Sequence, residues 1–219
     1  MIKKAFTSLI LFGAFCTLFT LGFWQIERLE WKNDVIADIQ TQSAKPLNEL
    51  SLSNAPDNYT RGFIKGRRAS KTIIFLAPRI LDGKSGSHVL SPYNMKNGRT
   101  IMVNWGWVSP EDKDKITSLG SLSKINGFTK KEIKPPFSPD NRADLGLWYW
   151  ADTKALGTFY KADLVGSVFF ASNEIHGAIT PINTIPLPRN KHLQYALFWF
   201  GMSGILVILT LILYRKSRV

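Results

Sequence analysis

His192 stands three residues before an apolar stretch that begins at Tyr195, and Arg189 and Lys191 lie beside it. An imidazole nitrogen can ligate a metal such as haem iron, and nearby cationic side chains can pair with haem propionates. Trp24, at the end of the chain's other apolar stretch, could supply an aromatic wall. The spacing also fits a second interpretation, in which His192 and Tyr195 belong to the polar and aromatic belt at a membrane surface.

Other residue types that can carry chemistry are sparse and lack a catalytic pattern. His88 falls within a strand pattern and His176 within a turn, so we expect structural or exposed roles for them. Asp112 and Asp114 share a lysine-bearing turn, which is typical of a solvated loop. Cys16 is the only cysteine, so an intrachain disulfide, a CxxC pair, a thiolate zinc cluster and a CxxCH haem attachment are excluded. These residues give no support to hydrolase chemistry, and a membrane-tethered hydrolase is kept as an alternative.

Two stretches without charged residues or histidine must position these groups. Ala5 to Trp24 and Tyr195 to Tyr214 each comprise 20 residues, which as helices are about 30 Å long, the thickness of a bilayer's hydrocarbon core. We therefore predict two transmembrane helices. A cleaved signal peptide is the alternative for the first stretch, but its apolar region exceeds the usual ~7 to 15 residues.

The positions of the flanking charges predict the topology. Five of the 28 Lys and Arg lie on the outer sides of the two stretches: Lys3, Lys4, Arg215, Lys216 and Arg218. Cytoplasmic flanks carry such an excess of positive charge, so both termini are predicted in the cytoplasm of a bacterium, with the chain in its inner membrane. The predicted organisation is a cytoplasmic N-terminus (1–4), a first transmembrane helix (5–24), a periplasmic β-rich domain with an N-terminal amphipathic helix (25–194), a second transmembrane helix (195–214) and a cytoplasmic C-terminus (215–219).

The net charge of +12 and the pI of about 9.9 would ordinarily suggest nucleic acid as a partner. The five flanking cations account for part of this charge, and +7 remains on the segment between the spans. That segment is predicted outside the cytoplasm, where nucleic acid has little access, and its cations are scattered among acids. We therefore expect a solvated surface, or one that faces anionic lipid or haem propionates.

The residue pattern between the spans predicts an amphipathic helix to about Gln42, followed by strands. Asp82-Gly83 and Asn97-Gly98 are strong hairpin dipeptides. The predicted fold class is a membrane protein in which two transmembrane helices flank a mainly antiparallel, β-rich α+β domain, folded as a small sandwich or open barrel. The predicted strands are 59–65, 72–80, 87–91, 100–108, 119–128 and 167–170, with a helix near 153–161.

Three blocks of this sequence resemble the surfeit locus protein one family of cytochrome c oxidase assembly factors. They are LGFWQIER with WK (21–28 and 31–32), HVLSP, G and VNWGWV (88–92, 98 and 103–108), and NKHLQYA with WF (190–196 and 199–200). Their order around two spans covers essentially the whole chain. Two positions depart from the family pattern: Trp105 replaces an arginine, and Lys191 replaces the second of two asparagines.

The resemblance implies a bacterial member that is not an enzyme, binds haem a and aids its delivery to the catalytic subunit of cytochrome c oxidase. His192 matches the family's proposed iron ligand. The candidates for lining the cofactor site are Trp24, Gln25, Arg28, Arg189, Lys191 and Tyr195. Expected partners are the oxidase catalytic subunit, a haem a synthesis enzyme and membrane lipid, without nucleic acid. The alternative is a membrane scaffold that stabilises an oxidase intermediate and binds no cofactor.

Overall fold

The computed structural model describes residues 2–51, 58–185 and 187–216. The chain divides into two compact units, one formed by Met1–Asp38 with Leu187–Val219 and the other by Ile39–Pro186. The outermost residues of the predicted cytoplasmic ends, Met1 and 217–219, lie outside the described residues.

The first unit consists of two long apolar helices. Helix α1 spans Ile2–Ala44, of which residues up to Asp38 belong to this unit. The second long helix, α3, spans His192–Lys216. Both are long and apolar enough to cross a membrane, and only 6% and 11% of their most apolar windows are buried. An apolar helix that leaves most of its side chains exposed requires lipid around it, unlike the buried core helix of a soluble protein.

The second unit contains a mixed, mainly antiparallel sheet. The strands identified among the described residues are β1 (Asn48–Glu49), β2 (Arg61–Arg68), β3 (Ile74–Leu81), β4 (Lys84–Met95), β5 (Thr100–Val108), β6 (Lys124–Lys130) and β7 (Leu164–Ala171). Their order is β1-β2-β6-β7-β5-β4-β3, and a further pairing of β2 with β4 closes a ring of five strands. β1 with β2 and β5 with β7 are parallel, whereas the other pairs are antiparallel. Of the two predicted arrangements, a small sandwich and an open barrel, the ring is closer to the barrel.

Two strands of this ring, β5 and β7, are buried on both faces and therefore read as nearly continuous apolar runs. Ile101 and Trp105 of β5 pack with Phe169 of β7 in one core cluster. Met102 and Phe170, the intervening residues of the same strands, pack in a second cluster on the other face. A short helix, α2 (Thr153–Tyr160), adds Leu156 to the second cluster.

The two predicted hairpin turns are confirmed. Asp82 and Gly83 both have positive φ (48° and 78°), as a two-residue turn between antiparallel strands requires, and the flanking residues Leu81 and Lys84 are paired. Gly98, with φ 82°, donates its backbone N–H to the carbonyl of Met95 at 3.1 Å. The two turn dipeptides thus correctly predicted the hairpins that connect β3 to β4 and β4 to β5.

Several predicted boundaries differ from the structure. The strand expected over 119–128 begins only at Lys124, because Leu119 packs into the core from an irregular segment. The stretch 87–91 is the middle of the twelve-residue strand β4. On the expected amphipathic helix Ile39 is buried, but Trp31, eight residues earlier and on the same face, is 53% exposed. The helix ends at Ala44, two residues beyond the expected Gln42.

Candidate functional site

The centre of the candidate site is a hydrogen bond between the two long helices. Nδ1 of His192, the first residue of α3, lies 2.6 Å from Oε1 of Gln25 on α1. Gln25 is only 9% exposed, whereas His192 is half-buried. The structure therefore brings together two of the predicted site residues that are 167 positions apart in the chain.

Geometry assigns the donor in this hydrogen bond. An amide oxygen can only accept, so the proton must lie on Nδ1 of His192. A neutral imidazole with its proton on Nδ1 has an unshared electron pair on Nε2. Within residues 2–51, 58–185 and 187–216, no group hydrogen-bonds to Nε2. This nitrogen is available to ligate a metal.

Asn190 ties the start of α3 to the same face of α1. Its Nδ2 donates to the backbone carbonyl of Leu29 at 3.2 Å and to Oδ1 of Asn33 at 2.9 Å. Its Oδ1 accepts from the backbone N–H of His192 at 3.3 Å. Gln25, Leu29 and Asn33 are spaced four residues apart, so they form one stripe along α1. Asn190 therefore fixes the backbone from which the imidazole projects.

Close helix packing lies one turn before Gln25. A Cβ atom added at Gly22 would stand 2.5 Å from the ring of Phe200, so a larger residue here would force the ring or the helices to move. The ring of Phe200 also meets Phe19 and Phe23 edge-on, with centroid distances of 5.6 and 5.5 Å. This apolar contact sets the separation of the helices at which Gln25 reaches His192.

Arg28 and its two flanking tryptophans form a separate exposed feature of α1. The Arg28 guanidinium carbon lies 5.8 Å from the ring centre of Trp24 and 4.9 Å from that of Trp31. Cation–π contacts hold the side chain between the rings. Arg28 has no acidic partner among the described residues, so its N–H groups can bind an anion.

The other predicted site residues are exposed around the start of α3. Tyr195 is 53% exposed, and both Arg189 and Lys191 are exposed. Neither cation has an ion-pair or side-chain hydrogen-bond partner in the described part of the chain. All seven predicted site residues thus lie in the first unit, and within the described part of the chain Gln25 is the one whose side chain hydrogen-bonds to the imidazole of His192.

The central family block lies in strands β4 and β5 of the second unit. Trp105 is buried, and its Nε1 donates to Oγ of Ser91 at 2.8 Å. Nδ2 of Asn104 lies 3.0 Å from Nδ1 of His88, and Oδ1 of Asn104 accepts from the N–H of Gly106. Burial lowers the pKa of His88 to about 3, with smaller contributions from Arg79 and Lys130. His88 is therefore neutral at physiological pH and has a structural role, as expected.

Sequence reasoning missed the contribution of Asn190 and Asn33. Asn190 is part of a family block without a role of its own there, and Asn33 belongs to none of the three blocks. A usable signal was present, because Gln25 and Asn33 are eight residues apart and lie on one face of a helix that leaves the bilayer. Uncharged polar side chains on such a stripe favour hydrogen bonds to a neighbouring helix.

Comparison with known proteins identifies similar sequences over most of the chain. A model described as the SURF1 family matches residues 12–204. Surfeit locus protein 1 of Mus musculus is 28% identical over 86% of this chain and 69% of its own length. The SURF1-like protein of Rickettsia felis is 28% identical over 96% of this chain and 97% of its own length. Surfeit locus protein 1 of Homo sapiens is 26% identical, covering 86% of this chain and 71% of its own length.

Proposed function

Because the chain belongs to the SURF1 family, we propose that it is a non-enzymatic assembly factor for haem-copper cytochrome c oxidase. In this role it binds haem a and aids its insertion into the catalytic subunit. The observation that supports haem binding is the hydrogen bond from Nδ1 of His192 to Gln25. This bond leaves the electron pair on Nε2 available to ligate the iron. Family membership alone does not distinguish this role from that of a scaffold.

The chemistry of the surrounding residues fits haem as a cargo. Haem is an apolar disc whose iron accepts an imidazole nitrogen and whose propionates are anionic. The exposed rings of Trp24 and Tyr195 offer apolar surface. Arg28, Arg189 and Lys191 supply cations without acidic partners among the described residues. The half-buried imidazole of His192 supplies the ligand.

We propose a location in a bacterial inner membrane, with both termini in the cytoplasm and the β-rich unit in the periplasm. The two apolar helices and the flanking cations support this orientation. The partners proposed are the catalytic subunit of the oxidase, which receives haem a, and a haem a synthesis enzyme, which supplies it. Membrane lipid surrounds both helices.

Haem content of the purified full chain tests the proposal. We expect the protein, co-expressed with haem a synthesis and purified in detergent, to contain haem a with the absorption spectrum of a histidine-ligated iron. His192→Ala should lose this haem. His176→Ala removes an imidazole from a turn in the other unit and serves as the matched control, which should retain haem. Equal haem content in wild type and His192→Ala would reject His192 as the ligand.

Deletion of the gene separates this function from that of a cofactor-free scaffold. A haem a chaperone predicts oxidase subunits that are present in the membrane but depleted of haem a. A scaffold predicts loss of the subunit complex itself. Blue-native gels with subunit antibodies, read together with extracted haem, distinguish the two outcomes.

A further inference from the structure

We infer that Gln25 is a positioning residue, which fixes the tautomer and ring orientation of His192 rather than lining the haem surface. The effect on haem affinity rests on the proposed haem-binding function, whereas the hydrogen bond between Gln25 and His192 does not. The distance of 2.6 Å between Oε1 of Gln25 and Nδ1 of His192 is that of a short hydrogen bond. Gln25 is 9% exposed and thus offers little surface to a ligand of its own.

The direction of the hydrogen bond determines which ring nitrogen is free. A neutral imidazole can carry its proton on either nitrogen, and the tautomer with the proton on Nδ1 is the one that Gln25 stabilises. Metal-binding histidines commonly donate their other N–H to an oxygen in this way, which orients the ring and increases the basicity of the ligating nitrogen. With Gln25 in place, Nε2 of His192 is the ligand atom presented before any haem arrives.

Surrounding contacts hold both partners of this hydrogen bond. Asn190 anchors the backbone of His192 to α1, through the carbonyl of Leu29 and the side chain of Asn33. The contact of Gly22 with Phe200 keeps the helices close one turn before Gln25. Because the donor and the acceptor are each fixed by other groups, the bond can persist in the haem-free protein.

Nitrogen NMR of the haem-free full chain in detergent, labelled with ¹⁵N-histidine, tests the tautomer directly. At a pH where the ring is neutral, wild type should show His192 with a protonated Nδ1 and an unprotonated Nε2, and the absence of this signal in His192→Ala assigns it. Gln25→Leu, which removes the acceptor, should shift the signal towards the opposite tautomer. Gln25→Glu retains an acceptor oxygen and should keep the wild-type pattern.

Haem a titration of the same variants tests the consequence. Gln25→Leu should weaken haem affinity by about 10 to 100-fold, whereas Gln25→Glu should bind nearly as wild type does. Gln40→Leu, an exposed glutamine on the same helix, is the matched control and should change neither property. Circular dichroism verifies that each variant is folded.

The two measurements separate the failure of this inference from the failure of the proposed function. An unchanged tautomer in Gln25→Leu overturns the positioning role, and so does an unchanged haem a affinity in that variant when wild type binds haem a. Loss of binding in Gln25→Glu equal to that in Gln25→Leu overturns it as well. A wild type that shows the Nδ1-protonated tautomer, loses it in Gln25→Leu and yet binds no haem a rejects the function and retains the positioning role.

Discussion

Two histidines of this chain use the same ring nitrogen in opposite ways. Nδ1 of His192 donates to an amide oxygen of Gln25. Nδ1 of His88 faces the Nδ2 of Asn104, whose Oδ1 is already occupied by the N–H of Gly106. Asn104 must therefore donate, so His88 accepts at Nδ1 and carries its proton on Nε2. The partner's chemistry, and not the residue type, decides which nitrogen remains free.

Protonation of His88 should make the stability of the protein depend on pH. Its pKa is lowered to about 3 in the folded state by burial, with smaller contributions from Arg79 and Lys130, against 6.5 when unfolded. Between these values only the unfolded chain binds the proton, so stability is full above pH 6.5 and falls as the pH decreases. The expected loss between pH 7 and pH 5 is about 2 kcal/mol.

Chemical denaturation of the full chain in detergent, followed by tryptophan fluorescence, measures this dependence. In His88→Gln the decline from pH 7 to pH 5 should be smaller than in wild type by about the same 2 kcal/mol. Because pH 5 lies above the range in which carboxylates are protonated, the difference reports on the histidine. An identical decline in both proteins would show that His88 takes up a proton without cost in the fold.

Trp105 should not tolerate replacement by arginine. The indole is 1% exposed and donates to Ser91 in the core of the second unit. Trp105→Ala should reduce the free energy of unfolding by about 3 to 5 kcal/mol, and Trp105→Arg by at least as much, since it buries an unpaired charge. Ile80→Arg, at an exposed position of β3, is the control and should change stability by less than about 0.5 kcal/mol. Denaturation curves that give Trp105→Arg and Ile80→Arg the same free energy of unfolding would contradict the prediction.

At the scale of elements, the contact between α1 and α3 should depend on Gly22. A side chain at this position would meet the ring of Phe200, and such overpacking typically costs about 1 to 3 kcal/mol. Gly22→Leu should therefore lower the thermal transition of the full chain and weaken the Nδ1-protonated NMR signal of His192. Gly13 lies on the same helix with open space around it, so Gly13→Leu should leave both readouts as in wild type. Equal effects of the two variants would disprove a specific helix contact.

Elements whose signals are local could be predicted, and those that depend on distant partners could not. The turn dipeptides at 82–83 and 97–98 favour their own turn conformation, and the apolar stretches predict the positions of the two long helices. By contrast, the pairing of β2 with β4 and the parallel pairing of β5 with β7 have no local code, because register between distant strands follows from the whole core. The same applies to the site. His192 and Gln25 are both candidates from the family blocks, but no local signal pairs them, because they lie 167 residues apart in the chain.

At the scale of the whole molecule, the chain's net charge of +12 separates into parts with different physical roles. Cations beyond the ends of the two apolar stretches favour the cytoplasmic side of a membrane. The remaining cations lie in the segment between the spans, where Lys65, Lys115 and Lys130 form ion pairs. Three cations proposed for the site, Arg28, Arg189 and Lys191, have no acidic partner among the described residues. An anionic cargo would therefore interact with these three cations, and the total net charge does not describe that interaction.

The proposed topology can be tested cleanly because the chain has a single cysteine. In a Cys16→Ser background, Ser85→Cys places one thiol at an exposed position near the start of β4, and Ser217→Cys places one after Lys216 in the sequence. The positive-inside rule predicts that a membrane-impermeant maleimide labels Ser85→Cys in spheroplasts with an intact inner membrane, and labels Ser217→Cys only after that membrane is disrupted. The Cys16→Ser chain without an added thiol is the control for background labelling. Labelling of Ser217→Cys in intact spheroplasts, with protection of Ser85→Cys, would invert the topology and would remove the β-rich unit from the periplasm.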